Sequence, residues 1–158
     1  LGADAWNRVD KAWSETSETP LMRVHALRTE LMSMRARCAL AAVRVAQGRL
    51  REDLLRVAKQ TPDELIKEGG NAEPQRAFIR GLAHLAYGDA ARADADFARA
   101  EAGFESARHA VWREAVRWRR GQAAGGATGI ARAEAARDAF RDFGVSRPNE
   151  FLRIYAPG

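Results

Sequence analysis

The sequence predicts an all-α fold, and three observations support this prediction. The 158 residues are rich in alanine, leucine, arginine and glutamate, which are strong helix formers, whereas aromatic residues make up only 8%. Apolar residues recur at the spacing of helix faces. Glycines at positions 48, 88 and 126 separate helices at intervals of 40 and 38 residues, which is typical of helical repeats. We therefore expect one domain over residues 1–158, with antiparallel helix pairs stacked as a short right-handed superhelix.

The first two helices are predicted from the spacing of apolar residues and from the glycine at position 48, which ends the second of them. Trp6, Val9 and Trp13 form one apolar stripe in "ADAWNRVDKAW". Thr19 is a plausible N-cap, and Pro20 suits the first helical position. The following stretch contains no glycine or proline until position 48, so a long helix is predicted from about residue 20 to residue 47.

The partner of this long helix begins near residue 49 and carries Leu50, Leu54 and Val57 on one face. Thr61, Pro62 and Glu64 have the spacing of a capping box with proline at the first position. We therefore expect a break or a kink at Pro62 and then a short helix that ends at residues 69–70.

Turn and cap residues define the rest of the chain. Gly88 ends one helix and Asp89 caps the next. The loose stretch "AAGGAT" is predicted to join a further pair, and Pro148 opens a short terminal helix. The predicted helix pairs cover about residues 20–70, 71–107 and 109–143, with the terminal helix at about 147–155.

Residues 74–107 resemble a tetratricopeptide repeat. The small residues and the aromatic residue of that repeat match Gly81, Gly88, Ala93, Phe97 and Ala100. Small side chains allow the two helices to approach closely, while the phenylalanine fills the gap to the next pair. The neighbouring pairs match less well, because Asp53 and Arg119 stand where the repeat has small residues, so the expected character is degenerate.

A narrower resemblance covers nearly the whole chain. The stretches "AWNRVDKAW", "LMRVHALRTELMSMRARCALAAV" and "GVSRPNEFLRIYAPG" are similar to the C-terminal helical region of large bacterial serine/threonine protein kinases, the multidomain kind found in myxobacteria. In that family a kinase domain, often with an ATPase module, precedes a tetratricopeptide-like region. The resemblance implies a cytoplasmic regulatory or sensing tail. It also implies that this chain, which opens with "LGADAW", is a piece of a longer protein.

Charge and cysteine content argue against several other classes. The net charge is +5, but both signs alternate along the helices as on solvated faces, so nucleic-acid binding is not expected. The single cysteine, Cys38, rules out an internal disulfide and is expected to be a small buried apolar residue. No run reaches the roughly 18–20 apolar residues of a membrane span. Asp94 and Asp96 lie on different helical faces and are both expected to face water.

No catalytic pattern is present, so we expect no enzyme activity in this region. The kinase motifs "HRD" and "DFG" are missing, and "GQAAGG" lacks the Lys-Ser or Lys-Thr of a phosphate-binding loop. His25, His84 and His109 have no metal-ligand spacing. No cofactor or metal is therefore predicted.

A binding groove is the remaining hypothesis. Arg113, Arg117 and Arg120 form one cationic edge of a helix in "VWREAVRWRR". Tetratricopeptide grooves hold ligands with the first helix of each pair, and the resemblance transfers this role to Arg35, Gln75, Phe78, Leu82 and Leu85. An apolar floor with arginine rims suits a protein or peptide segment that carries carboxylates or phosphates, including the parent kinase region. The predicted partner-binding residues are Arg35, Gln75, Phe78, Leu82, Leu85, Arg113, Arg117 and Arg120.

Two alternatives stay open at this point. The chain itself can fill the concave side with its first or terminal helix, which would leave a structural or dimerisation spacer. Similar repeats also occur in large bacterial transcriptional regulators. A small molecule between helices is a further option without a recognisable residue pattern, and the oligomeric state is not determined by the sequence.

Overall fold

The computed structural model describes residues 2–157, apart from the side chain of Asn71, so Leu1 and Gly158 of the predicted domain lie outside the described residues. Short 3₁₀ turns occupy Pro20–Arg23, Ile66–Glu68 and Gly70–Ala72. No strand occurs between residues 2 and 157, which confirms the predicted all-α class. The α-helices are α1 (Gly2–Thr16), α2 (His25–Val43), α3 (Gly48–Leu65), α4 (Glu73–Ala86), α5 (Ala90–Ser106), α6 (Ala110–Ala124), α7 (Gly126–Asp142) and α8 (Pro148–Tyr155).

The helices pack in chain order. Each of α1 to α6 contacts the next helix, α2 also contacts α4, and α8 lies against α6 and α7. The α4/α5 contacts show the antiparallel arrangement, because Gly81 lies against Phe97 in the middle while Gly103 lies against Pro74 at the far end. The main core spans these helices, and its largest fully buried side chains include Phe78, Phe97, Phe104 and Phe140.

The turn between α4 and α5 agrees with the prediction. Gly88 has φ +82°, a left-handed conformation that other residues adopt only with strain. The Asp89 side chain accepts a hydrogen bond from the backbone N–H of Arg92 at 3.1 Å, as an N-cap residue does. The local signals therefore place this turn correctly.

The predicted long helix from residue 20 to residue 47 is interrupted. After the 3₁₀ turn Pro20–Arg23, Val24 is extended, and α2 begins only at His25 and ends at Val43. The guanidinium of Arg28 donates to the carbonyl of Met22 at 2.6 Å and to the Glu68 carboxylate. These hydrogen bonds hold the 3₁₀ turn against α2 without a continuous helix. Glu68 lies 40 positions away from Arg28 in the chain.

Of the break or kink predicted at Pro62, the break is wrong, because α3 continues through this proline to Leu65. Thr61 does not cap a new helix. Instead its hydroxyl donates to the carbonyl of Val57 at 2.9 Å, the bond that threonine makes within helices. Pro62 is buried and lies in the last turn of α3, so its missing N–H affects only the end of the helix.

Two further expectations need correction. The predicted loop "AAGGAT" is only a tight turn, since Gly125 and Gly126 have φ +61° and +59° and helix continues on both sides. Asp96 does not face water: it is 5% exposed and accepts hydrogen bonds from Arg80 at 2.8 Å and from Arg99 at 3.1 Å. Its partners lie on α4 and α5, so the carboxylate ties the two helices of this pair together.

Candidate functional site

The side chains of α2, α4 and α6 meet on one face, and the chain covers the middle of this face itself. Residues 148–157, which we call the C-terminal segment, contribute Leu152 and Ala156 to the main core, and both are fully buried. The ring of Tyr155 lies edge-on to Trp112 of α6 at 4.8 Å between centroids. The C-terminal segment therefore divides this face into two ends.

Arg37 of α2 holds the C-terminal segment through its main chain. Its guanidinium donates to the carbonyl of Ile154 at 3.2 Å and to the Glu30 carboxylate at 2.9 Å. The guanidinium carbon also lies 4.6 Å from the centre of the Trp112 ring, a cation–π contact. Burial is the main cause that lowers the pKa of Arg37 and raises that of Glu30, and the attraction between the two opposes both shifts.

The aromatic rings beneath this contact form a continuous cluster. Phe104 stacks on Trp112 at 5.5 Å between centroids, and Phe78 lies 6.0 Å from both Trp112 and Phe97. Phe78, Phe97 and Phe104 are fully buried. The cluster packs against the Trp112 ring, and together with Arg37 over the ring and Tyr155 beside it, holds the ring in place.

A cleft of about 1160 Å³, which we call the Gln75 cleft, lies at the N-terminal ends of α2, α4 and α6. Two polar atoms in its lining are buried and make no hydrogen bond within the described residues: Oγ1 of Thr29 and Oε1 of Gln75. The Thr29 residue is only 6% exposed. The cleft is lined by His25, Ala26, Thr29, Glu30, Gly70, Glu73, Pro74, Gln75, Gly103, Ser106, Ala107, Arg108, His109, Ala110, Val111 and Trp112.

A smaller cleft of about 410 Å³, which we call the Arg119 cleft, lies at the opposite end of the face. Three arginines stand in its lining beside several aliphatic side chains. Pro157 of the C-terminal segment forms part of its wall. The cleft is lined by Leu40, Val43, Arg44, Val45, Ala46, Gln47, Arg51, Leu82, Leu85, Ala86, Arg119 and Pro157.

The structure separates the eight sequence-predicted site residues into several environments. Gln75 lies in the Gln75 cleft, whereas Leu82 and Leu85 line the Arg119 cleft. Phe78 is fully buried and Leu82 is 2% exposed, so neither offers much surface to a partner. The eight residues therefore do not form one continuous groove.

Arg35 faces α1 rather than the α2/α4/α6 face. Its guanidinium donates to Asp10 at 2.8 Å and lies 5.4 Å and 5.1 Å from the ring centres of Trp6 and Trp13. The first helix thus covers this arginine and neutralises its charge.

The predicted cationic edge of α6 is also neutralised within the chain. Arg113 lies 2.8 Å from the Glu114 carboxylate, and Arg117 lies 3.2 Å from Glu101 of α5. Arg120 lies 2.6 Å from Asp94 and 3.2 Å from Glu101. These arginines join α6 to α5, so an acidic partner would have to compete with carboxylates that are already bound.

Several residues of this region are not among the sequence predictions. Arg37 is buried because distant parts of the chain, Ile154 and Trp112 among them, contact it, and local patterns do not contain that information. Thr29 is buried in the lining of the Gln75 cleft. Glu114 is 2% exposed between Arg113 and Arg117. A signal for part of this arrangement exists in the sequence, since an arginine three residues after Glu114 lies on the same helix face and can reach its carboxylate.

Other kinds of site find no support among residues 2–157. No group of three or more histidine, cysteine, aspartate or glutamate side chains there could hold a metal ion. Cys38 is half-buried, and burial raises the pKa of its thiol, as for a packing residue. Across the same residues, each helix is too short or too polar to cross a lipid bilayer.

Comparisons with protein-family models, with curated proteins and with solved structures find no match to this chain.

Proposed function

We propose that this chain is a non-catalytic protein-interaction module, and that it binds an extended segment of a partner protein in the Gln75 cleft. In this proposal the helix pairs form a degenerate tetratricopeptide-like stack, and α2, α4 and α6 line its concave side. Sequential packing of the helices and the close contact of Gly81 with Phe97 support such a stack. The resemblance to the tails of bacterial serine/threonine kinases suggests that the partner segment belongs to the parent chain or its substrate.

The observation that carries the proposal is the pair of buried polar atoms in the cleft. An unpaired buried donor or acceptor costs about 1–3 kcal/mol, so buried polar atoms normally have a partner. Thr29 Oγ1 and Gln75 Oε1 line the same cleft and have no partner among the described residues. Backbone amide and carbonyl groups of an extended peptide would supply the missing hydrogen bonds.

The C-terminal segment supports the same mode of recognition. Arg37 binds the main-chain carbonyl of Ile154, while the side chain of Tyr155 lies on Trp112. One wall of the Gln75 cleft is formed by the same Trp112 together with Val111. A partner segment with an apolar side chain would therefore lie beside the chain's own segment and contact Val111 and the part of Trp112 that lines the cleft.

The charges of the cleft favour main-chain recognition over recognition of a strongly acidic partner. Glu30 and Glu73 lie in the lining together with His25, His109 and Arg108, so neither sign dominates. Arg113, Arg117 and Arg120 already bind carboxylates of the chain itself. An acidic or phosphorylated partner is therefore less favoured than it is by the sequence alone.

A structural spacer is the second candidate, because the C-terminal segment covers the middle of the face on which a partner would bind. A module of a transcriptional regulator gains less support, since the arginines of α6 are paired within the chain.

A selection from a library of displayed random 12-residue peptides tests the proposal. A selected peptide should lose at least tenfold in affinity when Gln75→Leu or Thr29→Val removes a polar partner, as measured by fluorescence polarisation. Gln60→Leu, which changes an exposed glutamine of α3, is the matched control and should leave the affinity unchanged.

The stability of the same variants separates binding from folding. Replacing an unpaired buried acceptor by an apolar group of similar size is close to neutral, so Gln75→Leu should not lower the melting temperature of the free domain. If the folded domain selects no peptide, or if selected peptides ignore both substitutions, the spacer candidate replaces the proposal.

A further inference from the structure

The turns that open α5 and α6 have the same backbone but carry different residues. Gly88 and Arg108 both adopt a left-handed conformation, with φ of +82° and +58°. Asp89 and His109 follow them with nearly equal angles, φ −93° and ψ 80° in the first turn and φ −92° and ψ 73° in the second. Both turns also make the same two backbone hydrogen bonds to the helix before them. The two turns can therefore be compared residue by residue.

The α4/α5 turn carries residues that stabilise this geometry, and the α5/α6 turn does not. Glycine adopts a positive φ without strain, and Asp89 caps α5. Arg108 is the only residue other than glycine with a positive φ in the described part of the chain, and His109 makes no side-chain cap on α6. Both replacements are basic residues, and both line the Gln75 cleft.

The N-terminus of α6 consequently presents open hydrogen-bond donors to the Gln75 cleft. Backbone N–H groups in the first turn of an α-helix have no partner within the helix, and the helix dipole favours negative charge beside them. In α6 these groups belong to residues 110–112, and all three residues line the cleft. The start of α2, which contributes His25 and Ala26 to the same lining, also lacks a side-chain cap.

The hydroxyl of Thr29 is a separate indication that a polar ligand belongs in this cleft. Thr29 stands in the lining and is only 6% exposed, and its Oγ1 has no hydrogen-bond partner within the described residues. A hydroxyl buried to this extent normally has a partner. It can donate to an acceptor in the cleft, as the N–H groups of α6 can.

The acidic residues of the lining limit how much negative charge the cleft can accept. Glu30 and Glu73 line it, and they are bound by Arg37 at 2.9 Å and by Arg76 at 2.8 Å. Arg108, by contrast, forms no ion pair with any of the described residues. A phosphate group carries up to two negative charges and would be repelled by both glutamates more strongly than a carboxylate. The cleft therefore favours one carboxylate.

We propose that the partner segment in the Gln75 cleft carries one aspartate or glutamate, and that its carboxylate binds at the N-terminus of α6. The carboxylate accepts hydrogen bonds from the backbone N–H groups of residues 110–112, and Arg108 forms an ion pair with it. This inference rests on the proposed function, which supplies the segment, and adds the chemical feature that selects it. The strain at Arg108 and the missing cap at His109 are costs that partner binding offsets.

Synthetic copies of the selected peptides test this inference. Their ends are blocked by acetylation and amidation, so that only side chains carry charge. We expect the peptides to share an aspartate or glutamate at one position. Replacing it with asparagine or glutamine should weaken binding at least tenfold, measured by fluorescence polarisation.

His109→Asp places a carboxylate of the chain itself at the same N–H groups, as Asp89 does in α5. We expect a higher melting temperature of the free domain and at least tenfold weaker binding of the acidic peptide. Neutralising the peptide should then have less than a twofold further effect. His109→Gln, which removes the histidine without adding a preferred N-cap residue, is the matched control and should show neither change.

Arg108→Gly should change stability and binding in opposite directions. Glycine relieves the left-handed conformation and should raise the melting temperature, while the loss of the guanidinium should weaken peptide binding at least threefold. A merely structural role for this residue would not weaken binding in a more stable domain. Arg49→Gln, at an exposed arginine of α3 outside the cleft, is the control and should leave both quantities unchanged.

The possible failures of the inference and of the proposed function are distinguishable. Peptides that share no acidic residue, or that keep their affinity when it is neutralised, would overturn the inference alone, provided that Gln75→Leu still weakens binding. Unchanged peptide affinity in a stabilised His109→Asp domain would overturn it as well. A folded domain that selects no peptide would overturn both.

Discussion

The α4/α5 pair and the α6/α7 pair both bring their helices close together through glycine, but the glycines face different groups. A Cβ atom added at Gly81 would lie 2.7 Å from the ring of Phe97. A Cβ atom added at Gly121 would lie 2.6 Å from the carbonyl oxygen of Gly129, which is backbone. One pair therefore uses a glycine against a side chain, and the other uses glycine against glycine.

This difference explains why the close contact leaves a recognisable pattern in the sequence of only one of the two pairs. In α4/α5 the contact needs an aromatic residue and small residues at fixed spacing, and such a pattern is visible in the sequence. In α6/α7 the close approach depends on Gly121 and Gly129, with the small Ala133 beside Gly121. Gly121 and Gly129 also lie within one or two turns of the connection at Gly125, so the tight contact sits nearer to the turn than in α4/α5.

The largest effect is expected for Gly129→Ala. Its new Cβ would lie 2.5 Å from the carbonyl oxygen of Gly121, and relief would require the two helices to move apart. Overpacking of this kind costs about 1–3 kcal/mol, and we expect a loss near the upper end in the free energy of unfolding, measured with urea. Gly70→Ala is the control, because a Cβ there meets nothing within 4 Å. If both variants had equal stability, the backbone contact of α6/α7 would not be tight.

A smaller effect is expected for Gly81→Ala. The clash is with a ring, which can shift, rather than with backbone. Alanine favours helix over glycine by about 1 kcal/mol at both positions, so the softer contact makes this loss the smaller one. We expect a net loss of about 1–2 kcal/mol in the free energy of unfolding.

The two pairs should also differ in whether the damage can be repaired. Phe97→Leu combined with Gly81→Ala should be more stable than the sum of the single losses predicts, by about 0.5–1 kcal/mol, because leucine leaves room for the new methyl group. A double-mutant cycle measures this coupling. Strict additivity would mean that Phe97 does not set the distance between α4 and α5, and the contrast between the pairs would fail.

The parts of the fold that the sequence predicts correctly depend on neighbouring residues. The turn at Gly88, the Asp89 cap and the start of α8 at Pro148 each follow from a few adjacent positions. The start of α2 was not predictable in this way. It depends on Arg28 and its bond to Glu68, 40 positions later in the chain.

The same limit applies to the candidate site. Apolar spacing and the repeat pattern place Gln75 on the first helix of its pair, and the structure places it in the larger of the two clefts on the α2/α4/α6 face. The orientation of Arg35 and Arg120 was not predictable, because their carboxylate partners, Asp10 and Asp94, lie 25 and 26 positions away. The burial of Arg37 depends on Ile154, which is 117 positions away.

The smallest effect concerns the junction between the two compared pairs, where Arg120 of α6 binds Asp94 of α5 at 2.6 Å. The hydrogen bond from Arg120 is the main cause that lowers the pKa of Asp94 from its ordinary value. A carboxylate whose pKa is lowered by folding stabilises the folded state at pH values above its pKa in the unfolded chain, which is about 3.9. This contribution is lost as the pH falls through the pKa of the folded state.

Asp94→Asn should therefore lower the free energy of unfolding by about 0.5 kcal/mol at pH 7, because the Asp94 side chain is 53% exposed and solvent screens the pair. The difference should shrink as the pH falls from 5 towards 3. Urea titrations at several pH values measure this. Asp138→Asn, which removes an ion pair within α7 only, is the control for a carboxylate that joins no helices. A difference that stayed constant down to pH 3 would show that Asp94 acts through packing rather than charge, and that the two pairs are joined by their apolar surfaces alone.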